Sequence, residues 1–257
     1  MNKIKFLGTG GVFGIPYWNC DCEVCKSVNL KDKRLRSSLL VTLKDKNILI
    51  DFGPDCRYQL LKYNVKKLDY AFLTHAHGDH MNGSAELSLQ NNLIIEMPEK
   101  ILNSFIKVLG TGYDWFKKRN PSVEFKKFES KEIENVDIGT ITLKHQKDFQ
   151  KDYTPCYGYI FRSKNFSFAY MSDYNEILEP EKLYNLDLII SDGCNLENTN
   201  IGHIGVKGSV EVFKKFKPKK MILTHINHTK SHKFLSDYVS QFGNIEIAFD
   251  GQEIEFK

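Results

Sequence analysis

Apolar and polar positions change period several times along the chain. In the first third, short apolar runs at Ile4–Leu7, Ser38–Leu43, Asn47–Asp51 and Asp69–Leu73 read as strands. A helix near Asp55–Tyr63 separates them, and another begins soon after His80. A third runs from about Pro98 to Val108, with proline in the first turn, where a missing N–H costs little. The aromatic stretch Gly110–Arg119 fits no element and reads as a lid or an insertion. From Val123 to Met171 the chain is mostly β, with strands at Val123–Phe128, Ile138–His145, Gly158–Arg162 and Phe166–Met171. The last third alternates: helix Glu179–Tyr184, strand Leu186–Ser191, helix Gly205–Phe216, strand Met221–Thr224, helix Phe234–Gln241 and strand Ile245–Phe249. Two β-rich halves, each with helices, predict an α/β fold: an αβ/βα sandwich of two mixed sheets, face to face with helices outside, in one domain spanning 1–257.

The strand ends carry the chemistry. His75, His77, Asp79 and His80 follow the apolar run Tyr70–Leu73, with small Ala76 and Gly78 letting the backbone turn so that the side chains converge. Imidazole and carboxylate together suit zinc, manganese or iron(II). His145, Asp173 and His225 each lie at or just past a strand end, and Asp51 closes the strand Ile48–Ile50. Strand ends collect on one rim of a sheet sandwich, so separate segments can bring these groups together. Singly, each also suits a turn or a cap.

Composition narrows the setting. The 257 residues are 41% hydrophobic and 26% charged, ordinary for a soluble globular chain. A net charge of +4, spread over pairs such as Lys117-Lys118 and Lys219-Lys220, suits solvated faces and a mild preference for anionic substrates. A nucleic-acid partner would need a denser basic patch. The N-terminal residues read as a strand, without the apolar region of a signal peptide, and no apolar run approaches the ~18 residues of a membrane span. The expected location is the cytoplasm, where the six cysteines stay reduced. Cys20, Cys22 and Cys25 then read as a structural zinc site lacking one ligand, for which His228 is the best candidate. Cys56, Cys156 and Cys194 read as packing residues.

The series His75-x-His77-x-Asp79-His80, His145, Asp173 and His225 resembles the ligand set of the metallo-β-lactamase superfamily. The resemblance implies two divalent ions, manganese or zinc. His75, His77 and His145 would hold one, Asp79, His80 and His225 the other, and Asp173 would bridge them. Asp79 thus also belongs to the reacting centre, and Asp51 would orient a ligand imidazole. Such a pair holds a bridging hydroxide at neutral pH and clamps the oxygens of an in-line displacement.

The stretches Gly8–Cys25, Ile222–His228 and Phe249–Gly251 resemble the phosphodiesterase family of bacterial phosphonate breakdown, which opens 5-phosphoribosyl 1,2-cyclic phosphate. That resemblance implies a small phosphorylated substrate, a homodimer, one structural zinc on Cys20, Cys22, Cys25 and His228, and His203 as the general acid. Tyr17–Cys20 and Gly202–Gly205 also resemble an accessory protein of pyrroloquinoline quinone biosynthesis, whose histidine motif is degraded whereas this one is intact. Cyclic-nucleotide hydrolysis and ester or thioester hydrolysis stay open. An RNA-processing nuclease of the superfamily is the less favoured alternative, because no basic arm is evident and the loop after Asp192 lacks a His-Glu-Ala-Thr type signature.

Overall fold

The computed structural model describes residues 2–147, 153–198 and 202–256. Its first sheet contains β1 (Asn2–Gly8), β2 (Ser38–Leu43), β3 (Lys46–Ile50), β4 (Tyr70–Phe72), β5 (Ile94–Met97), β6 (Glu124–Lys127) and β15 (Glu253–Phe256). The second contains β7 (Lys131–Ile133), β8 (Val136–Lys147), β9 (Tyr153–Arg162), β10 (Ser167–Tyr170), β11 (Glu176–Ile177), β12 (Leu188–Asp192), β13 (Lys220–Thr224) and β14 (Ile245–Ile247). The helices are α1 (Glu23–Lys26), α2 (Cys56–Lys62), α3 (Gly78–Met81), α4 (Ser84–Leu87), α5 (Glu99–Leu109), α6 (Thr111–Arg119), α7 (Gly205–Phe216) and α8 (His232–Val239).

The sheets run in the orders β15-β1-β2-β3-β4-β5-β6 and β11-β8-β9-β10-β12-β13-β14, with β7 paired to β8. Each is antiparallel at one end and parallel at the other, the parallel pairs being β3/β4, β4/β5 and β5/β6 in one sheet and β10/β12, β12/β13 and β13/β14 in the other. Parallel strands deliver their carboxyl ends to one rim, where open α/β sheets place their ligand sites.

The strands read as unbroken apolar runs because both faces are covered. Leu39, Val41 and Leu43 of β2 face the layer between the sheets, as do Ile48 and Ile50 of β3, while Leu40 and Leu49 face the outer layer under α2 and α5. On the other side Leu188, Ile190 and Ile222 point inward, and Ile189, Met221 and Leu223 point to α7 and α8. The predicted αβ/βα sandwich is what the chain forms.

The differences from the sequence reading are local. Gly110–Arg119 is not a lid: α6 follows α5 directly, the chain turning at Gly110 (φ 52°, ψ −125°), and Phe116 packs edge-on against Phe125 with ring centroids 5.0 Å apart. The Glu179–Tyr184 segment is a short 3-10 turn over Pro180–Leu183. The helix expected from Phe234 begins at His232, because the Ser231 hydroxyl accepts the Phe234 amide at 3.2 Å. The edge or short strands β5, β7, β11 and β15 carry too few alternations to announce themselves. His145 lies within β8, where the β8/β9 register shifts between Lys144 and Lys147. Such an irregularity re-aims a side chain. No helix among the described residues is long and apolar enough to cross a membrane.

Candidate metal centre

The histidine cluster is shaped by the loop after β4. His77 caps the N-terminus of α3, so His75 and His77 precede the helix while Asp79 and His80 lie in its first turn. The loop after β3 presses against this turn: the Phe52 amide donates to His80 O at 2.7 Å. A Cβ on Gly53 would lie 1.8 Å from Asp79 O, so only glycine permits the approach. Asp51 is wholly buried with a left-handed backbone (φ 62°). Its carboxylate accepts the Thr74 amide at 2.9 Å and the Thr74 hydroxyl at 2.9 and 3.0 Å, and lies 2.8 Å from His80 Nδ1. Asp51 therefore orients His80, leaving Nε2 to face the centre.

Seven donors meet there. Nitrogens of His75, His77 and His145 lie within 4.8 Å of one another, and so do the donor atoms of Asp79, His80, Asp173 and His225. Asp173 touches both groups: Oδ2 is 3.9 Å from His75 Nε2, 3.8 Å from His145 Nε2 and 3.2 Å from His225 Nε2, and Oδ1 is 3.5 Å from His80 Nε2. Asp79 Oδ2 is 3.3 Å from His80 Nε2 and 3.5 Å from His225 Nε2. Yet His75 Nε2, His80 Nε2 and Asp173 Oδ1 are buried with no well-directed hydrogen bond. Buried polar atoms rarely stay unpaired. Several of them converging within a few ångströms fit a pair of divalent cations.

Electrostatics agree. Burial, with His80 and His77 alongside, pushes His75 well below its usual pKa, and burial lowers His145 to about 4. Neutral imidazole is the ligating form. Burial would raise the Asp173 carboxyl, but His225 and His80 outweigh it and hold it well below the usual carboxylate range. Burial opposes a charge on His80, yet Asp173, Asp79 and Asp51 raise it well above normal. Three carboxylates thus call for positive charge at this point.

Next to the donors is His203. Its ring stacks on His225 at 5.0 Å and 18°, and its Nδ1 lies 3.1 Å from Asp192 Oδ1. Asp192 is itself fixed, accepting the Gly205 amide at 2.9 Å and the Cys194 amide at 3.3 Å. Burial works to lower His203, but the Asp192 charge and hydrogen bond win and raise it to about 9. A pocket of about 220 Å³ opens over this group, lined among others by Tyr17, His77, Asp79, Cys194, His203 and Asn227. The larger cavity of about 580 Å³, along β8 and β9 near Lys131 and Arg162, contains none of the donors.

Sequence reasoning missed Asp192 and misassigned Cys194. Cys56 and Cys156 do pack in the core, but Cys194 is only partly buried and lines the pocket beside His203 and His225. The signal for Asp192 was its place at the end of β12, matching Asp51 after β3 and Asp173 after β10. Trp115 and Tyr113 line no part of the pocket.

The second cluster brings Cys20, Cys22, Cys25 and His228 together. Sγ of Cys20, Cys22 and Cys25 lie 3.4, 3.5 and 3.4 Å from His228 Nδ1. Tetrahedral zinc with ordinary bond lengths has S···N edges of about 3.5 Å. The Cys25 amide, donating to Cys22 Sγ, is the main influence lowering that thiol to about 6, toward the thiolate that zinc binds.

Residues 46–226 match the sequence profile of the β-lactamase superfamily domain. The chain belongs to that superfamily. A solved structure described as a new diphosphatase from the PhnP family superimposes with a TM-score of 0.87 and 28% identity, covering 100% of this chain and 98% of that one. The fold is therefore that of the metallo-β-lactamase hydrolases, on the PhnP side of the superfamily, as the cysteine and histidine motifs implied. An octanoyltransferase of Porphyromonas gingivalis is 28% identical over 229 residues, 86% of this chain. The match spans 45% of that relative, less than half its length. Coenzyme PQQ synthesis protein B of Acinetobacter baumannii is 23% identical, over 98% of this chain and 99% of its own.

Proposed function

We propose that the protein is a metal-dependent phosphodiesterase hydrolysing a small cyclic phosphate, such as 5-phosphoribosyl 1,2-cyclic phosphate. The carrying observation is the complete donor set, with His203 held by Asp192 beside it in one small pocket. His75, His77 and His145 would hold one cation, Asp79, His80 and His225 the other, and Asp173 lies between the groups. Such a pair of zinc or manganese ions, when bound, supplies Lewis acidity and brings the pKa of water near neutrality.

The protein's own part is to orient and to move a proton. Asp51 and Thr74 aim the donors. Asp192 at Nδ1 favours the protonated ring of His203 and turns Nε2 toward the pocket. Nε2 donates that proton to the departing alkoxide. The volume of about 220 Å³ lies below the ~300 Å³ at which ordinary ligand sites begin, which favours a small substrate over a polymer. Among the described residues no lysine or arginine lines the pocket, which weighs against a ribonuclease. The phosphoryl chemistry in the description of the PhnP-family neighbour supports the reading.

The near full-length likeness to coenzyme PQQ synthesis protein B favours one other reading, an accessory role in cofactor biosynthesis. The intact His75–His80 motif counts against it. The test is a panel of cyclic phosphates, including cyclic mononucleotides, run beside bis-p-nitrophenyl phosphate on metal-loaded protein. Turnover of bis-p-nitrophenyl phosphate and of one cyclic ester is expected. No turnover with zinc, manganese or cobalt, from neutral to alkaline pH, would replace the hydrolase reading with the accessory one.

A further inference from the structure

Tyr17 stands between the two clusters, and neither uses it as a donor. On one side its ring stacks on the His228 imidazole, with centroids 3.8 Å apart and planes at 22°, while its amide donates to Cys25 Sγ at 3.4 Å. On the other side it lines the pocket with Asp79, His203 and Asn227. No hydrogen bond or ring contact joins it to the seven donors of the dinuclear group. Its hydroxyl has no hydrogen-bond partner among the described residues, and a phenol is a donor at neutral pH.

The opposite strut is the loop after β13. His225 serves the dinuclear group, His228 serves the cysteine cluster, and Asn227 between them faces the pocket. Asn227 is held by its amide on Cys194 O at 3.2 Å and by Thr229, whose backbone and hydroxyl donate to its side-chain oxygen at 2.9 and 2.7 Å. Tyr17 and Asn227 are thus carried on the segments that the Cys20–Cys22–Cys25–His228 group draws together.

We infer that Tyr17 is a substrate-binding residue, donating a hydrogen bond to a non-reacting oxygen of a small phosphoester from a position set by the cysteine–histidine knuckle. The ligand class rests on the proposed phosphodiesterase reading; the place of Tyr17 in the pocket wall does not. The knuckle then governs affinity more than the chemical step.

The experiment uses metal-loaded full-length protein, with ribose 5-phosphate as the binding probe and calorimetry as the readout. Tyr17→Phe keeps the ring on His228 and removes only the hydroxyl. It is expected to retain its full zinc content and to bind ribose 5-phosphate about 3- to 10-fold more weakly, the effect of one neutral hydrogen bond. KM for a phosphodiester substrate should rise by the same factor, with kcat moving less. Cys22→Ser, which frees the knuckle, should weaken binding at least as much. Wild-type affinity in Tyr17→Phe, joint loss of zinc and affinity in that variant, or no binding by the wild type would each overturn the inference. Failure of the phosphodiesterase reading shows separately, as binding without turnover of any phosphodiester.

Discussion

His203 leans on Asp192: its Nδ1 lies 3.1 Å from Oδ1, while the Gly205 amide at the start of α7 donates to Oδ2 at 2.9 Å. The proposed general acid is thus aimed by a carboxylate that the backbone itself holds. His203→Ala should keep its metals and lose roughly 100-fold or more in kcat on an alkyl phosphodiester, the usual worth of a general acid. A p-nitrophenyl ester should suffer far less, because its leaving group departs without a proton. Asp192→Asn should move in the same direction by a smaller factor. Equal losses on the two esters, measured side by side, would remove the acid role.

Most of the candidate ligands were legible because they follow in sequence where a strand stops, and parallel strands stop on one rim; His145 instead lies inside β8, near the register shift between Lys144 and Lys147. His75, His77, Asp173 and His225 needed no knowledge of the pairing. Asp192 had the same signal but no partner in sequence: His203 lies 11 positions away across a loop. The layers were readable because Leu39, Leu40 and Val41 must face alternate sides of a doubly covered sheet. Helix α6 was not, since its contacts with the core come down to Tyr113 and Phe116 against Phe125, and two aromatics in nine residues set no period. The left-handed backbones of Asp51 and His225, with φ of 62° and 59°, leave no trace in composition. Sites hold such strain through the surrounding packing.

Cys22→Ser should reduce zinc by about one equivalent per chain and spare the dinuclear pair, because the four knuckle donors share no residue with the seven of the other centre. Metal analysis after gel filtration reads this directly. Loss of all metals together would show the two centres to be dependent.

Gly53→Ala tests the close approach behind the ligand loop. The new methyl would lie 1.8 Å from Asp79 O and 2.8 Å from Asp79 C, and neither atom is the end of a flexible side chain. A destabilisation at or above the ~1–3 kcal/mol of ordinary overpacking is expected, seen as a lower thermal midpoint and weaker metal retention. An unchanged midpoint would mean that the loop after β3 can move away freely.

His232 should give the fold a distinct acid sensitivity. Its Nδ1 lies 3.1 Å from the buried Arg34 guanidinium, and burial, then Arg34, lowers it to about 4. A depressed pKa gives stability that is full above the unfolded value of about 6.5 and is lost as pH falls toward 4. Asp250, raised to about 6 chiefly by burial, acts in the opposite sense over part of that window. Because Asp250 is present in both proteins, the comparison is with His232→Asn, which keeps a polar acceptor but does not titrate. Its thermal midpoint should fall less steeply between pH 6.5 and 4 than that of the wild type, and parallel curves would discard His232 as the source.

The cysteine knuckle also ties together distant parts of the chain. Cys25 and His228 are 203 positions apart, one in α1 after β1 of the first sheet and the other in the loop after β13 of the second. Binding one ion there closes a very long loop and removes much of the freedom that an opened chain would regain. It makes the ion a clasp across the mouth of the sandwich. A molecule cut by a protease between those two points would still be joined through the β1/β15 pairing and the shared core, so a chelator is expected to lower its thermal midpoint more than that of the uncut chain, not to split it.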